Sequence, residues 1–233
     1  MSFIRVSETF FSVQGEGITV GVPAVFIRFQ GCNLDCGSKG GSWVCDTEAV
    51  WKKGDKYSVY DFCKIVQSLY KEPLANGAHL IITGGEPLLQ QDAIVDLVNE
   101  LDIKSPIEIE TNGTILPNQF LKSRVNYWNV SPKLSNSGEP QSKRITPALE
   151  WFAMQSNAIF KFVVTNHEDL SDIEFNFPWL VSMPIRQKFL MPAADSRLDL
   201  HNKYDSIIEL AKTNGYSLSQ RLHLTVWDKK TGI

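Results

Sequence analysis

Three of the four cysteines lie within fourteen positions, in the segment GCNLDCGSKGGSWVCDT at residues 31–47. Cys32, Cys36 and Cys45 have the spacing C-x3-C-x8-C, and the segment holds no other Cys and no His. A structural zinc ion takes four protein ligands, so three thiols on one loop suit it poorly. A [4Fe–4S] cluster can take three thiolates and leave its fourth iron open to a substrate or cofactor. The spacing therefore favours an iron–sulfur cluster, with zinc and unconnected buried thiols as alternatives.

Segments with strand and helix patterns alternate along the chain. Strand patterns occur at 24–30, 79–82, 107–113, 127–133, 158–166, 179–185 and 222–227, and helical patterns at 58–71, 88–102, 146–154 and 201–214. Because parallel strands need crossover connections, the alternation predicts an α/β fold of βα units around a mainly parallel sheet. No linker divides residues 1–233, so we expect a single domain in which the polar stretch 133–143 is a mobile connection.

Polar and glycine residues follow several of these strands directly. The cysteines follow 24–30, and the other groups are Thr83, Gly84, Gly85 and Glu86, then Glu110, Thr111 and Asn112, then Ser131, Pro132 and Lys133. Ligands of parallel α/β proteins bind at the carboxyl ends of strands, so these groups predict one shared site. The Gly-Gly pair would let backbone approach a ligand closely, although an ordinary strand-to-helix turn would use the same residues.

The composition disfavours two classes of partner. The 233 residues include 23 Lys and Arg against 26 Asp and Glu, a net charge of −3, so we expect no direct nucleic-acid partner. The chain does not begin with a basic region followed by an apolar run, and no window reaches the ~20 apolar residues that span a membrane. We expect a cytoplasmic protein, in which clustered cysteines are more often ligands or catalysts than disulfides.

The motifs resemble the 7-carboxy-7-deazaguanine synthase family of radical S-adenosylmethionine enzymes. They are FSVQGEG (11–17), GVPAVFIRFQGCNL (21–34), SWVCDT (42–47), ITGGEPLLQ (82–90), IEIETNGT (107–114), SPK (131–133) and FKFVV (160–164). The resemblance covers most of residues 8–165 and is weak in the last third. The usual radical-enzyme spacing, C-x3-C-x2-C, is six residues shorter. The longer loop costs about 1 kcal/mol of closure entropy, and we expect its insert, Gly37–Ser42, to bulge outward.

The resemblance implies a fold, a reaction and a set of cofactors. The fold is a partial, distorted (β/α) barrel with mainly parallel strands, in a homodimer. The reaction is the ring contraction of a small-molecule pterin, 6-carboxy-5,6,7,8-tetrahydropterin, to 7-carboxy-7-deazaguanine with loss of ammonia, in queuosine-type deazapurine biosynthesis. The cofactors are a [4Fe–4S] cluster, S-adenosylmethionine at its open iron, and Mg²⁺, with a reducing electron donor such as flavodoxin or ferredoxin.

The same resemblance implies roles for individual residues. The implied metal ligands are Cys32, Cys36 and Cys45 for the cluster and Thr47 for Mg²⁺. The implied substrate contacts are Val13, Gln14, Gly15, Glu16, Arg28 and Thr83. The implied S-adenosylmethionine contacts are Val44, Asp46, Gly85, Glu86, Ser131, Pro132 and Lys133.

Several of these side chains have a simpler interpretation. Arg28 would fix a substrate carboxylate with paired hydrogen bonds, or would form an ordinary ion pair at a strand end. Asp46 would assist the Mg²⁺ site, or would only cap the next segment. Lys133 would otherwise be a surface charge. Cys63 and His223 are expected to be packed residues without a role in catalysis.

The chain departs from the family pattern at two places near its C-terminal end. Met191 precedes Pro192 where the family commonly has Gln, so a polar contact to S-adenosylmethionine is lost or made by backbone. The tail continues past His223 to Ile233, which argues against carrying over a tail contact to the substrate.

Two other functions stay open on the sequence alone. An activase that makes a glycyl radical on a partner protein would use the same cluster, but QGEG and Arg28 favour a small-molecule pocket. A non-enzymatic module stabilised by a metal would need its cysteines for folding.

Overall fold

The computed structural model describes residues 2–233, which form one nine-stranded sheet. The strands are β1 (Phe3–Val13), β2 (Pro23–Phe29), β3 (Asp55–Ser58), β4 (His79–Gly84), β5 (Ile107–Thr111), β6 (Tyr127–Val130), β7 (Ala158–Val164), β8 (Lys188–Pro192) and β9 (Ser217–Leu218). Their order is β3-β1-β2-β4-β5-β6-β7-β8-β9. Neighbours from β2 to β9 are parallel, whereas β1 is antiparallel to β2 and β3. The predicted α/β class with a mainly parallel sheet is confirmed, and the sheet is not closed into a full barrel.

Helices lie in the connections between strands, and one more follows the last strand. They are α1 (Glu48–Trp51), α2 (Val59–Ala75), α3 (Gln91–Leu101), α4 (Gln119–Arg124), α5 (Gln141–Arg144), α6 (Ala148–Ala153), α7 (Glu168–Asn176), α8 (Arg197–Asn214) and α9 (Leu222–Trp227). Their apolar faces pack on the strands in one large core, which includes Ile82, Leu97 and Phe160. Burial of these side chains is the main term that stabilises the fold. None of the helices described here is long and apolar enough to cross a membrane.

Side-chain caps set the start of the two longest helices. Ser58 accepts a hydrogen bond from Asp61 N at 3.1 Å, so α2 begins at Val59. Ser196 accepts one from Asp199 N at 3.2 Å, so α8 begins at Arg197, four residues before the predicted start.

The strand predicted at 179–185 is wrong. Pro178–Ser182 form a 3-10 turn, and the strand lies further along the chain at β8. Val181 is 88% exposed, so the apolar residues of this segment do not alternate toward a core. Trp179 packs edge-on against Phe160, with ring centroids 4.6 Å apart, and this packing anchors the turn.

The last strand, predicted at 222–227, is also wrong, because these residues form α9. Asp228 N donates to Leu224 O at 3.0 Å, as in a helix, and Leu224 is the only buried residue of the segment. Leu222 N donates to Gly15 O at 2.9 Å, which ties the start of α9 to the segment after β1. Tertiary contact therefore overrides the apparent alternation of apolar residues.

Two segments expected to be loose are packed against each other. The segment 133–143 contains the 3-10 turn Ser135–Ser137, and its residues Ser137 and Glu139 are buried, unlike those of a mobile connection. The tip of the insert Gly37–Ser42 is exposed, but the insert is not loose, because both of its ends are hydrogen-bonded to that turn.

Candidate active site

A cavity of about 770 Å³ opens at the carboxyl ends of the parallel strands. Its lining includes Phe10 on β1 and Met191 on β8, so both halves of the curved sheet contribute to it. All the predicted site residues line this cavity except Glu86 and Pro132. The structure thus brings together predicted site residues that are up to 120 positions apart in the chain, namely Val13 and Lys133.

Cys32, Cys36 and Cys45, here called the thiol wall, line one part of the cavity. Cys32 Sγ accepts from Leu34 N at 3.5 Å and from Asn112 Nδ2 at 4.0 Å, and Cys45 N donates to Cys36 O at 3.4 Å. Burial raises the pKa of the Cys32 thiol to about 11 and also raises the pKa of the Cys36 thiol. Binding of a metal group would therefore displace protons from this wall.

The donor set of the thiol wall fits a cluster better than a single ion. Within residues 2–233, no three His, Cys, Asp or Glu side chains converge as ligands of one metal ion would. A cubane cluster takes one thiolate at each iron, so it needs thiols spread around a space. The N–H groups that point at Cys32 Sγ are of the kind that stabilise cluster-bound sulfur.

Gly85, directly after β4, has a packing reason that the sequence does not reveal. A Cβ on Gly85 would lie 2.4 Å from Gly31 O and 2.6 Å from Cys32 Cβ. Glu86 N donates to Gly31 O at 2.9 Å, which brings the ends of β2 and β4 together. Gly85 is therefore required for the close approach of two loops, and it also lines the cavity.

Glu86 differs from the expected cofactor contact, because its carboxylate is fully buried behind the lining. It accepts hydrogen bonds from Leu88 N at 3.0 Å, Thr111 Oγ1 at 2.9 Å and Asn112 N at 2.7 Å. Burial raises the pKa of this carboxyl to about 7, against the effect of these donors. In this structure Glu86 connects the end of β4 to the end of β5.

Lys133 lies beside the thiol wall. Its Nζ donates to Ser131 Oγ at 2.9 Å and lies 5.9 Å from the centre of the Trp43 ring. Both Lys133 and Ser131 line the cavity and are only partly exposed, which disfavours the interpretation as a plain surface charge.

Four charged side chains form a second part of the lining, here called the charged wall. They are Glu16, Asp46, Lys161 and Arg221. Lys161 Nζ forms an ion pair with Glu16 Oε2, and Arg221 Nε lies 3.2 Å from Glu16 Oε1. Arg221 also donates to Asp46 Oδ2 and to Ala194 O. Each of the three nitrogens of the Arg221 guanidinium therefore has a hydrogen-bond partner in the protein.

Glu16 and Lys161 of this wall each favour the charged form of the other. Burial opposes ionisation of Glu16, but Lys161 and Arg221 outweigh burial and keep its pKa well below the usual range. Burial likewise acts against the charge of Lys161, but Glu16 and Glu110 raise its pKa. Such a network keeps fixed charges in the cavity without bound ligand.

His223 lines the cavity next to this wall. Its Nε2 lies 3.9 Å from Glu16 Oε1, and burial lowers the pKa of the imidazole against the opposing effect of the Glu16 carboxylate. A Cβ on Gly15 would lie 2.5 Å from His223 Nδ1, so a side chain at that position would displace the imidazole ring.

Arg28 combines the two interpretations that the sequence offers. Its Nε donates to Glu8 Oε1 at 2.8 Å, and a register shift between Val6 and Glu8 places Glu8 opposite Arg28. Within residues 2–233, its terminal nitrogens Nη1 and Nη2 have no hydrogen-bond partner. The ion pair therefore orients Arg28 and leaves free the edge of the guanidinium that binds a carboxylate.

A buried amide fixes two carboxylates of β5. Gln14 Nε2 donates to Glu108 Oε1 at 2.7 Å and to Glu110 Oε1 at 3.0 Å, and Thr83 Oγ1 donates to Glu110 Oε2 at 2.8 Å. Glu108 is fully buried and also accepts from Thr19 Oγ1 at 2.7 Å. Glu110 lines the cavity, so it presents an oriented acceptor to a ligand.

Asp46 and Thr47 lie at the end of the cysteine loop, where Mg²⁺ is expected. Thr47 Oγ1 lies 3.6 Å from Cys45 Sγ, and one Asp46 oxygen pairs with Arg221. Both residues line the cavity with oxygen donors, the type of ligand that Mg²⁺ takes.

Glu110 was predicted to lie at the shared site but was given no role of its own, and the sequence interpretation did not place Lys161, Arg221 or His223 in the site that they line. Lys161 carries a signal that was available, since a lysine inside the apolar strand AIFKFVV needs a buried partner. Arg221 and His223 follow no motif and stand in the weakly matching third of the chain.

Comparisons with known proteins agree with this geometry. Residues 13–131, about half of the chain, match the 4Fe-4S single cluster domain family. A 7-carboxy-7-deazaguanine synthase of Pyrobaculum aerophilum is 34% identical over 98% of this chain and 97% of its own length. The crystal structure of QueE from Escherichia coli has a TM-score of 0.69 at 23% identity, covering 95% of each chain. Native anSMEcpe with bound AdoMet has a TM-score of 0.50 at 17% identity, covering 81% of this chain and 61% of that one.

Proposed function

The chain belongs to the 7-carboxy-7-deazaguanine synthase family, and from that premise we propose that it contracts the ring of 6-carboxy-5,6,7,8-tetrahydropterin to 7-carboxy-7-deazaguanine with release of ammonia. The observation that carries the proposal is the cavity itself, which joins three free thiols to an oriented arginine and an oriented carboxylate. A glycyl-radical activase and a non-enzymatic metal module are not favoured by these relatives.

In this proposal the thiol wall holds the [4Fe–4S] cluster through Cys32, Cys36 and Cys45. The reduced cluster, when bound, supplies the electron that cleaves S-adenosylmethionine and starts the radical reaction. Lys133 and Ser131 are paired beside the thiols, and Gly85 gives the chain its close approach to the cysteine loop. Together with Val44 they are the residues that we propose to surround S-adenosylmethionine.

The pterin is proposed to lie between Arg28 and Glu110. Nη1 and Nη2 of Arg28 would bind its carboxylate by paired hydrogen bonds, which a lysine cannot form. The Glu110 carboxylate would accept from the N–H groups of the pyrimidinone ring, since Gln14 and Thr83 already hold its orientation. The neighbouring Val13, Gly15 and Glu16 segment would close the pocket.

Mg²⁺ is proposed to bind at Thr47, with Asp46 as a supporting group. Mg²⁺ commonly keeps several waters and uses few protein groups, so one hydroxyl and substrate oxygens would suffice. The Asp46–Arg221 ion pair supports a role for Asp46 in orienting the loop rather than in binding the ion directly.

The proposal extends to partners and location. On the family resemblance we infer a homodimer and a reducing electron donor such as flavodoxin or ferredoxin. All four cysteines are free, which supports a reducing, cytoplasmic location.

Anaerobic turnover tests the proposed function. Protein reconstituted with iron and sulfide, reduced and given S-adenosylmethionine, Mg²⁺ and the carboxytetrahydropterin should be brown and should form 7-carboxy-7-deazaguanine and ammonia in equal amounts, as measured by liquid chromatography with mass detection. Colourless protein that contains stoichiometric zinc, or a brown protein that leaves the pterin unchanged, would contradict the proposal.

A further inference from the structure

The insert Gly37–Ser42 of the cysteine loop is tied to another loop at both ends. Gly37 N donates to Ser137 O at 2.8 Å, and Ser42 N donates to Asn136 O at 2.8 Å. The tip of the insert, residues 38–40, is exposed. The insert is therefore held by the turn Ser135–Ser137 after β6, and only its tip is free of that contact.

Glycine is required on both sides of this contact. A Cβ on Gly41 would lie 2.7 Å from Ser137 O, and a Cβ on Gly138, which has φ +78°, would lie 2.8 Å from Gly41 N. The Gly-rich composition of the insert thus permits close packing of two backbones. It does not mark a flexible linker.

Asn136 connects this contact to the central sheet. Its Oδ1 accepts from Trp43 Nε1 at 2.8 Å, and its Nδ2 donates to Val163 O at 3.0 Å on β7. Both ends of the amide have partners, so its orientation is fixed. Through Asn136 the segment just before Cys45 is held to the sheet.

The segment around Cys36 is held by the same loop. Asp35 N donates to Glu139 Oε1 at 2.5 Å, and Glu139 is 3% exposed. With Gly37 N bonded to Ser137 O, backbone groups on both sides of Cys36 have partners in residues 137–139. Two of the three thiols of the thiol wall are therefore positioned by a loop that carries no cysteine.

We infer that Asn136 is a positioning residue for the cluster, which holds the cysteine loop so that Cys36 and Cys45 reach separate irons. The inference rests on the proposed function, because it takes these cysteines as cluster ligands. A loop that is already ordered loses less conformational entropy when the cluster binds. Loss of the Asn136 amide should therefore loosen the cluster without removing any ligand.

The test is the rate of iron release from reconstituted holoenzyme to a ferrous-iron chelator without oxygen. We expect Asn136→Ala to release iron about tenfold faster than wild type, the size of effect typical for groups that support metal ligands. The matched control is Asn157→Ala, because Asn157 Nδ2 also donates to a backbone carbonyl, Val125 O, at 3.0 Å, and Asn157 does not line the cavity. The control should release iron at the wild-type rate.

A wild-type rate in Asn136→Ala, or an equal acceleration in Asn157→Ala, would overturn the inference. If Asn136→Ala does not fold, Trp43→Phe decides, since it removes the indole donor to Asn136 and keeps an aromatic ring beside Lys133. Faster release from that variant supports the inference, and an unchanged rate overturns it. Wild-type protein that takes up no cluster would instead overturn the proposed function, and the inference with it.

Discussion

The thiol wall and the charged wall differ in what their polar groups are bonded to. The thiols of Cys32, Cys36 and Cys45 are free, and burial raises the pKa of Cys32 to about 11. In the charged wall, Glu16 is bonded by Lys161 and by Arg221 at once. The first wall is completed only by a bound group, whereas the second is complete in the protein alone. Changes in the thiol wall should therefore remove activity and spare the fold, and the loss of an ion pair in the charged wall should lower stability and spare iron uptake.

The largest effect is expected for Cys36→Ala. Loss of one thiolate should lower cleavage of S-adenosylmethionine by at least about a hundredfold, since even groups that only support metal ligands can cost that much. The free energy of unfolding of the cluster-free protein should change by less than about 1 kcal/mol, which a urea titration measures. Cys63→Ala, a buried cysteine on α2, should keep its iron and activity. Unfolding of Cys36→Ala would favour the metal-stabilised module instead.

Arg221→Met should show the opposite pattern. The variant leaves the partly buried Glu16 carboxylate with Lys161 as its remaining ion-pair partner, so it should lower the unfolding free energy by about 2 kcal/mol, less than the loss of a fully buried pair. Iron uptake on reconstitution should stay at the wild-type level. Lys212→Met is the control, because the Lys212–Glu209 pair is exposed and should contribute little. If Arg221→Met has normal stability, or takes up no iron, the claim that the charged wall serves the fold and the thiol wall serves the cluster is contradicted.

Glu86 allows a test by pH, because its carboxyl group accepts several hydrogen bonds and yet burial disfavours its ionised form. Its pKa is about 7 in the folded chain, against an ordinary value of 4.5 for a glutamate carboxyl. The folded state therefore favours the protonated form, and stability from this group is full below pH 4.5 and is lost as the pH rises to about 7. The unfolding free energy of the wild type should fall as the pH rises from about 5 to 7.5. In Glu86→Gln, which cannot ionise at this position, that fall should be smaller by about 2 kcal/mol. The same loss as in wild type would contradict this account, and Glu150→Gln, at an exposed position on α6, serves as the control.

Arg28 combines the properties of the two walls, because Glu8 satisfies Nε and the terminal nitrogens are free. Arg28→Lys should raise the KM for the carboxytetrahydropterin by about tenfold, since an ammonium lacks the paired donors of the guanidinium. Cleavage of S-adenosylmethionine without the pterin should be unchanged. A pterin that lacks the carboxylate should be used equally by both proteins, and a larger loss with that analogue would argue against this role of Arg28.

The two walls also differ in how far the sequence predicts them. The thiol wall is contained in fourteen consecutive residues, so the spacing of its cysteines is enough to indicate its chemistry. The charged wall is formed by residues that are distant in the sequence. Glu16 pairs with Lys161, 145 positions further along the chain, and with Arg221, 205 positions further along. Arg221 lies next to a segment that alternates like a strand and folds as α9, so neither its partner nor its element was predictable.

Loop packing is the other part that the sequence does not predict. The same Gly-rich composition suits a flexible insert and a tight backbone contact, and only the position of Ser137 O near Gly41 distinguishes them. The strands with continuous apolar runs, such as β4 and β7, were predicted because their burial on both faces leaves a pattern in the sequence.

The paramagnetic resonance spectrum of the reduced protein tests the central claim most directly, because it reports on whether one iron of the cluster is open. The spectrum should be that of a [4Fe–4S] cluster, and it should change when S-adenosylmethionine is added and stay unchanged with an analogue that lacks the amino and carboxylate groups. The central claim is that three cysteines bind three irons and leave the fourth iron for S-adenosylmethionine. It would be contradicted if S-adenosylmethionine did not alter the spectrum of protein with full iron content.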